Sequence, residues 1–216
     1  GNFTNKDGYL TDGNNKVTWC FGHMMKLKDP EDYDNKYKFW NLNDLPFVFL
    51  PYERKDNPNT VKQLRVIKDL IKKSEIIVNA GDPDDEGQLL VDEILREVKN
   101  KKPVKRILIN DNNIKVVQKA IFNMADNSKY EFMGYQAEAR AVADQLLGYN
   151  LTRSYTINHR AKTKEKDVIS IGRVQSAVLG LVVRRCREHA SHKKAFYYNL
   201  LGKFIIDNSN LHCRVY

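Results

Sequence analysis

The stretch NAGDPDDEGQLL, residues 79–90, decides the fold of this chain. The segment SEIIVNAG (74–81) is a short β-branched run that ends in glycine, which predicts a buried strand. The segment GQLLVDEILREVKN (87–100) has apolar residues at helical spacing, which predicts an amphipathic helix. The turn between this strand and this helix packs four acids into five positions, Asp82, Asp84, Asp85 and Glu86.

The same alternation continues on both sides of this acidic turn. VKQLRVIKDLIKK (61–73) predicts a preceding helix, VKRILIND (104–111) a second strand, and IKVVQKAIFNM (114–124) a further helix. Strands that alternate with helices at this spacing predict a parallel sheet with crossover helices. The fold class is therefore α/β, a Rossmann-like parallel sheet with flanking helices.

The rest of the chain has a different character. Residues 16–27 predict a strand followed by a turn at Gly22, and residues 28–60 are rich in Asp, Asn, Pro and aromatic residues and predict mainly loop. Beyond residue 130 the pattern predicts, in order, a long helix, a basic loop, a second helix and a strand pair, over 135–157, 160–167, 172–190 and 195–206. A mainly α-helical region and the start of a β domain are therefore expected to follow the α/β part.

The composition excludes several classes of protein. The chain has 216 residues, 42% of them hydrophobic, which is enough for one core or for one domain plus part of another. It contains no run of about 18 apolar residues, so we expect no membrane-spanning segment. Its three cysteines lie far apart and form no CxxC pair, which argues against a structural zinc site and a disulfide framework and favours a cytoplasmic setting.

The net charge of +9 is distributed unevenly. Residues 140–216 hold 14 Lys and Arg against 5 Asp and Glu, whereas residues 1–139 hold 22 groups of each sign. This asymmetry suggests a polyanion partner for the last third of the chain, although a solvated basic surface would give the same count.

The acidic turn has two interpretations on physical grounds. Asp82 falls at the carboxyl end of a parallel strand, where ligands bind in open α/β sheets, and with Asp84 and Glu86 it offers hard oxygen ligands that suit Mg²⁺. Gly87 keeps the helix start slim, so that a phosphate can approach. Alternatively, Asp84 is an ordinary N-cap, with Asp85 and Glu86 placed favourably against the helix dipole.

The motif Asp82-Pro-Asp84-Asp-Glu86-Gly87 resembles the acidic motif of TOPRIM domains. Six blocks in order resemble type IA DNA topoisomerases, specifically the topoisomerase III branch, from about residue 8 to the end of the chain: VTWCFGHM, KFWNLNDLP, AGDPDDEGQLLVDEIL, ILINDNN, LTRSYTI and SIGRVQSAVLGLVVRR. The resemblance implies a TOPRIM domain lacking its first strand over 1–132, part of a helical DNA-binding domain over 133–194, and the first strands of an incomplete β domain over 195–216.

The resemblance also implies the chemistry. Type IA enzymes cut one DNA strand through a 5′-phosphotyrosine link, pass another strand and reseal the break. Asp82, Asp84 and Glu86 would be the catalytic acids that hold the Mg²⁺ cofactor. Asp85 departs from the family, which usually has Arg there, and the departure is compatible with stronger ion binding or with weaker DNA approach. The family's opening Glu-Lys motif and its catalytic tyrosine block find no match, so the chain is expected to be an inactive N-terminal fragment.

Residues expected to contact DNA follow from the same blocks. Trp40 matches an aromatic that stacks on single-stranded bases, with a core tryptophan as the alternative. The resemblance implies further DNA contacts through polar side chains and through backbone that approaches the DNA closely. These residues are Gln145 (in place of an aromatic of some relatives), Arg153, Arg160 and the segment Ser170, Ile171, Gly172, Arg173, Val174 and Gln175. For the arginines, ordinary surface exposure is the alternative. Arg140 and Asp144 are spaced to pair with each other, and His23 is expected to be structural.

The expected partner is DNA, mainly single-stranded, with a helicase as a further candidate, no membrane, and a cytoplasmic, nucleoid-associated location. Two other functions compete with this interpretation. Another TOPRIM enzyme, a primase or nuclease, would share the acids but should lack the 170–185 block. A non-catalytic single-stranded DNA-binding module would bind DNA without metal-dependent cleavage.

Overall fold

The computed structural model describes residues 3–194, 196, 198–206 and 209–215, and it forms two compact units, 1–173 and 174–216. The first unit contains eight strands, β1 to β8: Thr4–Lys6, Tyr9–Thr11, Lys16–Thr18, Met25–Leu27, Arg54–Asp56, Ile77–Asn79, Val104–Arg106 and Ala125–Asp126. Its helices α1 to α5 are Pro30–Tyr33, Val61–Lys73, Asp85–Glu97, Ile114–Phe122 and Glu131–Thr163. Short 3₁₀ turns cover Asn35–Lys38, Leu42–Asp44 and Asn127–Tyr130.

The sheet that carries the acidic turn contains β6, β7 and β8 in that order. Strands β6 and β7 are parallel, with Ile77 opposite Val104 and Asn79 opposite Arg106, and β8 adds an antiparallel edge. The predicted parallel sheet with crossover helices is thus confirmed. Both strands are shorter than predicted. Beyond the carboxyl end of β6, the carbonyls of Gly81 and Asp82 accept from the Arg106 side chain.

The hydrophobic core lies between α2, α3 and β4. Its buried cluster contains Met24, Met25, Leu64, Ile67 and Ile94, with Cys20 and Ile71 packed against it. Helix α2 has the predicted bounds of 61–73 and buries Leu64 and Ile67 on one face. Helix α3 begins two residues earlier than predicted because Asp84 caps it, and it ends at Glu97, shortly before Lys99 adopts a positive φ of 50°.

Helix α5 is the longest element and packs against α3. A Cβ on Gly134 would lie 2.8 Å from Asp92 Oδ2, so glycine at this position lets the two helices approach closely. The helix continues through Thr163 and ends where Lys164 adopts a left-handed φ of 61°. The predicted basic loop over 160–167 is therefore wrong in its first four residues, which remain helical.

The strand predicted before Gly22 within residues 16–27 is present as β3, but the sequence reasoning missed the other small N-terminal elements. Strands β1 to β3 form an antiparallel meander, and β4 pairs with β5. Within the segment predicted as mainly loop, α1 forms because Asp29 and Asp32 exchange side-chain and backbone hydrogen bonds in a capping box. These strands have three residues each, too few for the alternation on which strand prediction depends.

Helix α6 spans Arg173–Ala190; its first residue is the last of the first unit, and the others belong to the second unit. The second unit also contains an antiparallel hairpin of β9 (Leu200–Ile206) and β10 (Ser209–Val215). The strand pair predicted within 195–206 instead has its second strand after residue 206, and residues 195 and 197 lie outside the described residues. Within the described ranges, every helix is too short or too polar to traverse a membrane.

Truncating the core should destabilise the first unit. Leu64 is 1% exposed, so Leu64→Ala should lower the free energy of unfolding by about 2–5 kcal/mol through lost burial and an unfilled cavity. Leu151→Ala is the matched control, because Leu151 is 38% exposed and should cost less than about 1 kcal/mol. Urea denaturation of both variants measures the difference, and equal costs would contradict the assigned core.

Candidate metal and nucleic-acid site

The acidic turn lies at the carboxyl end of β6, as predicted. Asp84 is the N-cap of α3, and its Oδ1 accepts from Gly87 N at 2.7 Å. The capping interpretation is therefore confirmed for Asp84, while Asp85 and Glu86 occupy the first helical turn, where a carboxylate stabilises the helix dipole. Asp82, Asp84 and Glu86 are all exposed, so their carboxylates are open to solvent and to an ion.

Gly87 has a different role from the one expected. It is buried, and a Cβ there would lie 2.3 Å from Asp82 O and 2.5 Å from Asp82 N. A Cβ on Gly81 would likewise lie 2.3 Å from Gly87 O. The glycines thus let the start of α3 lie directly on the backbone of the acidic turn. The space that a side chain at Gly87 would fill is occupied by the backbone of Asp82.

Arg106 lies beneath the turn and is 1% exposed. Its guanidinium donates to the carbonyls of Gly81 at 2.6 Å and Asp82 at 2.5 Å and to the side chain of Asn79 at 3.2 Å. Burial lowers the pKa of the Arg106 guanidinium, and the nearby charges of Asp92, Tyr130, Asp84 and Asp82 act in the opposite direction. A fixed positive charge therefore lies among the carboxylates whose mutual repulsion the sequence implied.

Two further basic side chains lie against the acidic turn. Arg140 on α5 donates to Asp85 Oδ2 at 3.2 Å and to Glu86 Oε1 at 3.1 Å. His23 lies 3.7 Å from Glu86 and 3.1 Å from buried Glu93, and its hydrogen bond with Glu93 is the main cause of a raised His23 pKa. The predicted pair of Arg140 with Asp144 is wrong, because the fold brings Arg140 to the acidic turn.

The donor set fits Mg²⁺ in its chemistry. Asp82, Asp84 and Glu86 present carboxylate oxygens, and Mg²⁺ commonly takes one or two carboxylates and retains several waters. Across the part of the chain that the structure describes, no group of three or more His, Cys, Asp or Glu side chains is close enough to hold an ion as a cluster. Asp82, Asp84 and Glu86 thus lie along one edge of the sheet without all three meeting at one point.

A second group of predicted residues surrounds Trp40. Trp40 is 37% exposed, and the guanidinium groups of Arg153 and Arg160 lie 5.2 Å and 5.9 Å from its ring. Trp40 is therefore a surface residue, supported by two cations, rather than part of the core. Its neighbour Phe39 is 80% exposed and belongs to the same aromatic surface.

Arg153 is placed differently from the expected phosphate contact. It is 4% exposed, donates to the carbonyl of Tyr37 at 2.7 Å and lies 3.6 Å from Glu31. Its guanidinium also lies 4.8 Å from the ring of Phe47. In this position Arg153 supports the loop that carries Trp40 instead of facing solvent, and Arg160 is the exposed member of the pair.

Helix α5 also holds this loop through polar side chains. Gln145 donates to the carbonyl of Lys28 at 3.0 Å, Tyr149 donates to Asp29 at 2.5 Å, and Asn150 bonds both backbone groups of Phe47. Gln145, expected to contact DNA, therefore has a contact within the protein. These bonds connect the aromatic surface to α5.

The 170–175 segment begins within the first unit. Ile171 donates its N–H to the Thr152 hydroxyl at 2.9 Å, and its carbonyl accepts from the same hydroxyl. Arg173 binds Asp144 with both ends of its fork, at 2.7 Å and 3.1 Å. Ser170 and Gly172 precede α6, while Val174 and Gln175 lie in its first turn and open the second unit, both exposed.

Sequence reasoning overlooked Arg106, gave Arg140 the wrong partner and set His23 aside. A signal for Arg106 exists, because an arginine in the apolar stretch VKRILI must either be exposed at an edge or bind polar partners inside. Arg140 carries no local signal, since its partners lie on another helix.

The fold and the acidic turn define a Toprim domain, and the model of that domain matches residues 6–112. A second model, described as DNA topoisomerase, matches residues 128–213. The chain belongs to the type IA DNA topoisomerases, in the topoisomerase III branch.

Named relatives support this placement. DNA topoisomerase 3 of Salmonella typhimurium (strain LT2) is 46% identical over 187 residues, which is 84% of this chain and 29% of the relative. DNA topoisomerase 3 of Pasteurella multocida is 39% identical over 91% of this chain and 31% of the relative. The full-length topoisomerase I structure from Thermotoga maritima superposes with a TM-score of 0.56 at 26% identity, covering 86% of this chain and 29% of that one. The chain thus spans less than a third of the length of these relatives.

Removing Arg140 should strengthen ion binding. The Arg140 guanidinium donates a hydrogen bond to the Glu86 carboxylate, so a divalent ion at that carboxylate would compete with Arg140. Because exposed ion pairs are weak, Arg140→Ala should tighten Mg²⁺ binding by only about two- to fivefold. Isothermal titration calorimetry at low ionic strength measures the change.

The control for this experiment is Arg185→Ala, which removes the same charge from an exposed pair with Glu188 in the second unit. It should leave Mg²⁺ binding unchanged. Weaker binding in Arg140→Ala would mean that Arg140 organises the acids rather than competing for them.

Proposed function

We propose that this chain supplies the metal site and part of the DNA path of a type IA topoisomerase that cuts, passes and reseals single DNA strands through a 5′-phosphotyrosine link. The observation that carries the proposal is the exposed acidic turn at the carboxyl edge of a parallel sheet, within a chain whose Toprim and topoisomerase segments both match. The match to the 128–213 region favours this function over a primase or nuclease.

In this proposal Asp82, Asp84 and Glu86 hold Mg²⁺ beside the scissile phosphate. The ion would supply charge neutralisation for the in-line displacement at phosphorus. The chain's own contribution is to fix the acids at the sheet edge through the Asp84 cap and the glycine contacts beneath α3. Asp85, where the family usually has Arg, pairs with Arg140, so its charge is partly offset before DNA approaches.

Single-stranded DNA is the proposed partner, bound through stacking and phosphate contacts. Trp40 and Phe39 offer exposed rings for bases, and Arg160 offers an exposed cation beside them. The 170–175 segment, with Arg173 and Gln175, contributes further donors once Arg173 exchanges Asp144 for a phosphate. A cytoplasmic, nucleoid-associated location and a helicase partner belong to the same proposal.

The isolated chain is proposed to bind DNA without cutting it. None of its eleven tyrosines lies in a block that resembles the catalytic block of the family. In that form the chain behaves as a single-stranded DNA-binding module, which is the second candidate function and is favoured by the aromatic surface around Trp40.

The first test is a plasmid assay. The isolated chain, incubated with negatively supercoiled plasmid and Mg²⁺, should leave the distribution of topoisomers unchanged, because no attacking tyrosine is available. Agarose gel electrophoresis and denaturing gels for covalent adducts measure the outcome. Relaxation, or a protein–DNA adduct, would show that one of the present tyrosines is catalytic.

The second test separates stacking from phosphate contact. Arg160→Ala should lower the salt slope of single-strand binding by about 0.7, since one phosphate contact is lost. Trp40→Ala should weaken binding by about 1–3 kcal/mol per stacked base and leave the slope unchanged. Fluorescence anisotropy with a short labelled strand over a salt series measures both quantities.

Lys101→Ala is the control, because Lys101 is exposed just before β7, at the amino end of the parallel strands and thus opposite the acidic turn. It should change neither slope nor affinity. An unchanged slope in Arg160→Ala would make the region a solvated basic face, and unfolding of Trp40→Ala would make the tryptophan structural.

A further inference from the structure

Arg106 is buried without a carboxylate partner. It lies at the end of β7 and is 1% exposed, and among the described residues no Asp or Glu forms an ion pair with it. A buried cation without a counter-charge is costly unless hydrogen bonds satisfy it. Here Nη1 and Nη2 donate to oxygen atoms of Asn79, Gly81, Asp82 and Ile107, while Nε has no hydrogen-bond partner among the described residues.

These partners concentrate on the acidic turn. Nη1 donates to Gly81 O at 2.6 Å and Nη2 donates to Asp82 O at 2.5 Å, so one planar fork spans two successive carbonyls. Gly81 N also donates to Asn79 Oδ1 at 3.0 Å, next to the bond between Asn79 Oδ1 and Arg106. The opposite side of the turn is closed by Gly87, whose backbone touches Asp82. The main chain at Asp82 is therefore held from both sides.

The anchor of Arg106 is itself fixed by a buried network. Asn79 donates to Asn127 at 3.1 Å, and Asn127 donates to Asp92 at 3.1 Å. Gln88 donates to both Asn127 and Asp92. All these side chains are buried, so the network connects β6, α3 and the 3₁₀ turn Asn127–Tyr130 to the guanidinium.

We propose that Arg106 is the positioning residue of the metal edge, holding the Gly81 and Asp82 carbonyls so that the Asp82 and Asp84 carboxylates face one ion. This inference rests on the proposed Mg²⁺ site and adds a residue that touches neither ion nor DNA. Residues that orient metal ligands typically change metal affinity by about 10- to 100-fold when replaced.

The positioning role and a purely electrostatic role predict opposite signs. A buried positive charge near the acids repels Mg²⁺, so if charge alone mattered, Arg106→Met would bind the ion more tightly. If the fork positions the turn, Arg106→Met and Arg106→Lys should both bind Mg²⁺ about tenfold or more weakly, since lysine keeps the charge and loses the planar fork. Calorimetry gives the affinity, and Mn²⁺-induced line broadening of the Asp82–Glu86 amides shows whether the ion still resides at the turn.

A matched control separates positioning from general loss of stability. Lys102 donates to the carbonyls of Ile71, Lys72 and Ser74, at the opposite end of the parallel strands. Lys102→Met removes a cation from carbonyls in the same way and should destabilise the unit without changing Mg²⁺ affinity. An equal loss of affinity in this variant would overturn the inference.

The outcomes also separate this inference from the proposed function. If the wild-type chain binds no Mg²⁺, or if Asp82→Asn with Asp84→Asn leaves binding unchanged, the proposed metal site fails and the inference fails with it. If those acids matter and Arg106→Lys binds like wild type, only the inference is overturned. Should the Arg106 variants not fold, Asn79→Ala keeps the arginine and removes its side-chain acceptor; weaker Mg²⁺ binding supports the inference, and unchanged binding overturns it.

Discussion

Repulsion among four neighbouring acids is the constraint around which the first unit is organised. Two arginines from separate parts of the chain offset this repulsion, Arg106 beneath the turn and Arg140 from α5, and His23 beside Glu86 adds positive charge when it is protonated. The positive end of α3 adds a fourth contribution. Because these groups come from a strand, a helix and a loop, the acids can lie at this edge only when the surrounding elements are assembled.

Both candidate sites use buried arginines in the same way. Arg106 and Arg153 are almost fully buried, and each donates to main-chain carbonyls of the loop that carries the functional side chains. A guanidinium is suited to this because it stays charged and offers several donors in a rigid plane. The exposed residues, Asp82 in one site and Trp40 in the other, thus lie on loops whose main chain is hydrogen-bonded to a buried guanidinium.

The sequence predicted the parts of the fold that have strong periodicity, and it failed where contacts are nonlocal. Helix α2 and the parallel pair of β6 and β7 follow from apolar spacing and β-branched runs. The N-terminal three-residue strands lack such a pattern and depend on pairing across turns. For the sites, Asp82 was predicted from the acidic motif and Trp40 from the resemblance of its block to a known family. The burial of Arg153 and the partner of Arg140 depend on how α5 packs, which local spacing does not contain.

Helix α5 connects the two sites within one rigid element. Arg140 contacts the acidic turn and Arg153 supports the Trp40 loop, and their separation of thirteen positions corresponds to about 20 Å of helix. The helix therefore fixes the distance between the acidic turn and the loop that carries Trp40. An insertion or deletion within it would shift this spacing and rotate the acidic turn about the helix axis relative to the Trp40 loop, so the relative placement of these two surfaces is encoded in the length of α5.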